Sequence, residues 1–154
     1  MSKIAGIKNK SPETYPSPPA KSNVLQTLSK VNAPPGGPVA IVNGSFTSLL
    51  GGAGPISFTP AVSGAYATIM VSGVLENASP TAGQTTVAIF LDTVNQYQIQ
   101  PEVKTAGAPV PFSLVFETAN LGVAGPHMVD VQAQAASGTS SAIDVSVVVI
   151  VTSD

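Results

Sequence analysis

The chain has no cysteine, no tryptophan, no arginine and one histidine, and charge of either sign is scarce. Without cysteine there is no disulfide framework, no thiolate zinc site and no thiol nucleophile. A single imidazole, His127, excludes a metal site that needs two. A carboxylate-only Ca²⁺ or Mg²⁺ site stays open in principle, but the acids show no EF-hand or repeat-type spacing. No cofactor and no metal are therefore expected. Charged residues make up 9% of the chain, against about 25% in ordinary globular domains. The longest nearly apolar run, 145–151, is broken by Ser146, whereas a membrane helix needs about twenty residues. Lys3, Lys8 and Lys10 are not followed by an apolar stretch, so no secretory signal is expected and synthesis is assigned to the cytoplasm.

What charge there is divides unevenly. Lys3, Lys8, Lys10, Lys21 and Lys30 stand against Glu13 alone in the first 30 residues, a balance of +4. Beyond them Lys104 stands against Glu76, Asp92, Glu102, Glu117, Asp130, Asp144 and Asp154, a balance of −6, and the two give the net −2. Such asymmetry points to two jobs within one chain. Nucleic acid is not the expected partner of the basic part. Arginine, the bidentate reader of phosphate and base edges, is missing, the lysines are dispersed, and only Tyr15 offers a stacking surface.

Proline divides the chain at the same place. Pro12, Pro16, Pro18, Pro19, Pro34, Pro35 and Pro38 are half of its fourteen prolines. Each fixes φ, lacks an N–H and restricts the residue before it, so residues 1–38 are expected to form an extended arm without a core of their own. Two small apolar clusters interrupt the arm. One is Ile4 and Ile7. The other is Val24, Leu25 and Leu28, whose spacing fits a single helical turn after an Asn23 cap. Both clusters are candidates for docking onto a partner, with Lys3, Lys8 and Lys10 steering the approach.

From Val39 the pattern becomes short apolar or alternating runs punctuated by Gly, Pro, Asn and Ser. Strands are predicted over 39–50, 55–59, 65–76, 85–92, 96–104, 110–117, 127–135 and 142–151. Residues 39–154 thus form one all-β domain, an antiparallel two-sheet β-sandwich of eight strands with jelly-roll topology, and an immunoglobulin-like sandwich is the nearest alternative. The last strand begins amphipathic and ends apolar on both sides. Ile143, Val145, Val147, Val149 and Val151 form one face, while the other runs Asp144, Ser146, Val148, Ile150. Such a strand must sit centrally or be covered on its second face by another subunit, so Val148 and Ile150 are candidate oligomer-interface residues.

A catalytic site finds little support. His127 is the lone imidazole base and no Gly-x-Ser-x-Gly elbow accompanies it. The stretch 51–54 (Gly-Gly-Ala-Gly) lacks the Lys-Ser/Thr and the helix of a phosphate loop, and Pro55 leads into a strand. Glu76, Asp92 and Glu117 end predicted strands and Glu102 lies within one, and they read as solvated rim acids rather than a glycosidase pair. Tyr97, between Gln96 and Gln98, is the best candidate for an exposed ring.

The run from Gly125-Pro126-His127 through Val129-Asp130-Val131-Gln132 to Ala135, followed by 143–151, resembles the closing hairpin of small β-sandwich proteins of bacteriophage virions. The stretch from Phe58-Thr59-Pro60 through Ser63-Gly64 to Leu75 resembles them too. These are head decoration (cement) proteins and fibre-like domains with jelly-roll bodies, often trimeric. A strand of this type also occurs in tumour-necrosis-factor-like sandwiches. The resemblance spans 39–154 and implies a non-enzymatic virion protein on the capsid surface, a homotrimer bound to the major capsid protein. The expectation is then that residues 1–38 grip the shell and the sandwich forms the trimeric body. A fibre-head or receptor- or carbohydrate-binding module is the alternative.

Overall fold

The computed structural model describes residues 23–32, 38–77, 83–103, 107–122, 125–136 and 140–153. Their strands, in chain order, are β1 (Asn23–Asn32), β2 (Val39–Ile41), β3 (Thr47–Ser48), β4 (Ile56–Phe58), β5 (Tyr66–Asn77), β6 (Gly83–Leu91), β7 (Val94–Ile99), β8 (Glu102–Val103), β9 (Pro109–Glu117), β10 (His127–Ala135) and β11 (Ser140–Ser153). One sheet, here sheet A, has the order β1-β11-β5-β9, with β2 also on β11. The other, sheet B, has the order β3-β10-β6-β7, with β4 on β10 and β8 on β6. Every strand pair is antiparallel.

Three pairs of strands lie end to end on a common neighbour: β1 and β2 on β11, β3 and β4 on β10, β7 and β8 on β6. Each pair is one interrupted strand, which reduces the set to eight. The first then pairs with the eighth, the second with the seventh, the third with the sixth and the fourth with the fifth. That nesting is the jelly roll the sequence predicts, with the strands divided differently: the predicted strand 39–50 splits into β2 of sheet A and β3 of sheet B, and the first strand starts at β1. The interruptions have local causes. Between β3 and β4 the chain makes a 3-10 turn at Gly51–Ala53. Between β7 and β8 lies Pro101, which has no N–H for the ladder and instead accepts from Thr85 N through its carbonyl (3.2 Å).

The core is the space between the sheets. Val145, Val147, Val149 and Val151 of β11 are fully buried there, with Ala67, Ile69 and Leu75 of β5. From sheet B come Val87, Ile89, Val129, Val131 and Ala133. Burying a Val or Leu side chain contributes about 1.5–3 kcal/mol, an upper figure because unfolded chains are partly compact. The buried hydroxyls of Thr85, Ser140 and Thr118 are paired: Thr85 Oγ1 and Ser140 Oγ lie 3.0 Å apart, and Ala67 N donates to Thr118 Oγ1 at 2.9 Å. Gly73 of β5 faces the Phe112 ring. A Cβ there would sit 2.8 Å from ring carbons and 3.2 Å from a Val145 methyl. Only glycine lets the ring lie against that strand.

One expectation needs correction. Val24, Leu25 and Leu28 do not form a helical turn; they belong to β1, which pairs with β11 from Asn23↔Ser153 to Asn32↔Val145. Residues 23–32 contain neither Gly nor Pro, and the irregularity between Val24 and Gln26 shifts the alternation by one. Leu28 packs against the core. Of the proposed arm, the structure thus describes 23–32, inside sheet A, and Pro38; 1–22 and 33–37 lie outside the described residues.

Candidate interaction face

The outer face of sheet A is built by alternation. On β11 the inward valines leave Ser146, Val148, Ile150 and Thr152 pointing away from the core, each half-buried. Register then sets their neighbours. Val148 lies beside Ser29 of β1 and Met70 of β5, and Met70 beside Val115 of β9. The next rung reads Thr27, Ile150, Thr68 and Glu117, and the rung on the other side Val31, Ser146, Ser72 and Ser113. Val115 is 64% exposed, Val24 62% and Val31 55%. The result is an apolar and hydroxyl-bearing centre. Acids stand around it: Glu117 on β9, Glu76 on β5, and Asp144, exposed where the β11–β5 register slips between Ile143 and Ser146. Asp144 takes a positive φ of 52° there, so the slip turns its side chain out while Val145 stays in the core.

β1 closes the edge of this face, and Lys30 holds it in place. Lys30 Nζ donates to the carbonyl oxygens of Ala53 (2.6 Å), Gly54 (3.2 Å) and Pro55 (2.7 Å). All three ammonium protons meet a backbone acceptor. The glycine-rich stretch that leads into β4 makes one 3-10 turn, Gly51–Ala53, and presents those carbonyls. Nothing in the sequence spacing signals this contact. It ties the edge of sheet A to the loop before β4 of sheet B.

The predicted site residues fall into three groups. Val148 and Ile150 share the outer face described above. Val24 and Leu25 of β1 remain exposed, Leu25 by 38%, whereas Leu28 is engaged with the core. Lys3, Ile4, Ile7, Lys8 and Lys10 lie outside the described residues.

His127 is the single imidazole that could act as a base. Its Nδ1 lies 2.7 Å from Asp92 Oδ2, and Asp92 Oδ1 accepts from Met128 N at 2.8 Å. The ring packs on Phe58 with centroids 5.6 Å apart. The other nitrogen, Nε2, is shut off from solvent and has no hydrogen-bond partner among the described residues. A general base must reach its substrate, and Nε2 does not. The pair instead fastens the β6–β7 turn to the start of β10. Asp130 is likewise structural: Ser48 Oγ donates to it at 2.7 Å and Gln132 Nε2 at 2.9 Å. Among the described residues no group of three or more acids and histidines could hold a metal ion. Tyr97 is 44% exposed, and one side of its ring is stacked on Phe116, centroids 6.5 Å apart.

No family model and no curated protein matches the chain. Among solved structures, PRD1 vertex protein P5 superposes with a TM-score of 0.46 at 16% identity, over 85% of this chain and 98% of that one. The VP2 protein of infectious bursal disease virus, in its D431N mutant form from derived T=1 particles, superposes with a TM-score of 0.48 at 10% identity. That match covers 96% of this chain and 36% of VP2, so the chain spans about a third of the VP2 length. Both are viral proteins by name. At TM-scores below 0.5 neither carries a role across, and the jelly roll rests on the strand pairing of this chain itself.

Proposed function

We propose that this chain is a structural protein of a phage virion: a capsid decoration protein that sits on the outside of the head as a homotrimer and binds the major capsid protein. The single observation that carries this reading is the outer face of sheet A. A body with so little charge leaves Val148, Ile150, Met70 and Val115 together on the outer side of sheet A. Such a face favours burial against another molecule over life as a monomer. The segment before β1, with Lys3, Ile4, Ile7, Lys8 and Lys10, and the exposed Val24 and Leu25 at its root, is proposed to reach a neighbouring molecule of the particle. Many dispersed contacts there offset the entropy of ordering it, and several straps per trimer add avidity.

The experiment is sedimentation of the purified full-length protein, then co-sedimentation with heads assembled from the major capsid protein. The reading predicts a trimer in the first and saturable binding in the second. A monomer that stays in the supernatant contradicts it.

A further inference from the structure

We propose that residues 1–22 of one copy lie across the outer face of sheet A of an adjacent copy. The proposal rests on the assembly reading above for the presence of adjacent copies, and it names what covers the face.

The face asks for a cationic, partly apolar occupant. Glu76, Glu117 and Asp144 stand around its apolar centre. The basic side chains among the described residues are Lys30 and His127, and both are engaged elsewhere: Lys30 with three carbonyls, His127 with Asp92. A second copy packing the same face against this one would set these carboxylates against their own duplicates. Like charges so placed oppose association.

The matching charge lies in the same chain. Residues 1–22 carry Lys3, Lys8, Lys10 and Lys21 against Glu13, a balance of +3, with Ile4 and Ile7 to meet Val148, Ile150 and Met70. The segment enters the sheet at Asn23, opposite Ser153, one residue from the exposed Val24. Fully extended, 22 residues reach about 70 Å, ample to cross a neighbouring sheet. Direction favours the neighbour over the segment's own face. β1 begins opposite Ser153, at the strand-end side of the sheet rather than over its outer face. Return onto its own face needs a reversal just before Asn23. Pro16, Pro18 and Pro19 stand there, and no glycine lies between Gly6 and Asn23; such a stretch favours an extended course.

The absence of cysteine makes the test clean. Full-length Asn9→Cys protein is mixed with full-length Ser113→Cys protein and oxidised. Gln98→Cys, exposed on β7 of sheet B, replaces Ser113→Cys as the control. Disulfide-linked heterodimers through Ser113→Cys should exceed those through Gln98→Cys several-fold, and high salt should reduce the excess, because exposed charge pairs are screened. Equal yields at the two positions overturn the proposal. So does closure within one chain when both substitutions share a molecule at high dilution, which would put the segment on its own face. Capsid binding is scored on the unsubstituted protein. Binding without the preferred crosslink overturns this inference alone; the crosslink without binding overturns the virion reading alone.

Discussion

Lys30 Nζ lies 2.7 Å from the carbonyl oxygen of Pro55, 25 positions along the chain. With Ala53 and Gly54 it completes a three-carbonyl seat for one ammonium group. Replacing Lys30 by Met keeps the stem and removes the donors. The seat is partly open to solvent, so the loss should be about 1–2 kcal/mol, at the low end for charged hydrogen bonds. Chemical denaturation measures the total. Hydrogen exchange should locate the loss in β1, with amides of residues 26–32 exchanging faster and those of β10 little changed. Unaltered exchange in β1 would mean that Lys30 does not hold the strand.

Gly73→Ala places a methyl group 2.8 Å from the Phe112 ring. Overpacking of this kind costs about 1–3 kcal/mol. Phe112→Leu in the same chain should return part of that loss, because the clash is with the ring. A double-mutant cycle read by thermal or chemical unfolding checks both, and strictly additive effects would refute the contact.

The two-residue turn between β6 and β7 has Asp92 and Thr93 at φ values of 50° and 71°. Both positions of such a turn require positive φ, and a β-branched residue is strained there. Thr93→Gly should therefore raise stability by about 0.5–1 kcal/mol, the relief exceeding the entropy that glycine adds to the unfolded chain. Asp92 must stay, since its carboxylate binds Met128 N and the His127 ring. A denaturation midpoint at or below that of the parent would count against this account of the turn.

Val148→Thr together with Ile150→Thr keeps the β-branched shape on β11 and makes the outer face polar. Both side chains are only half-buried, so folding should suffer little. Self-association, read by sedimentation velocity, should weaken at least several-fold. An unchanged oligomer would move the interface elsewhere on the body.

Much of this architecture is legible in the sequence. The run 127–135 is a strand with its predicted bounds, and the alternation of Val129, Val131, Ala133 and Ala135 is the buried face of β10. The two-sided apolar end of β11 correctly marks a strand flanked on both edges, with Val148 and Ile150 on its outer side. β1 is hidden for a physical reason. Its inward positions are Gln26, Leu28 and Lys30, at a sheet edge where polar side chains can turn to solvent or to a loop. Its apolar residues therefore do not alternate, and Val24, Leu25 and Leu28 mimic a helical spacing. The acidic surround of the outer face is hidden as well, because Glu76, Glu117 and Asp144 come from three strands and are set around one face only through register.

The most direct measurement is co-sedimentation of the full-length protein with heads that lack it, carried out beside the Val148→Thr, Ile150→Thr variant. The structural reading predicts saturable binding in multiples of three copies for the parent, and binding lost or sharply weakened for the variant. Heads that leave the parent protein in solution, or that take up both proteins alike as single copies, would contradict it.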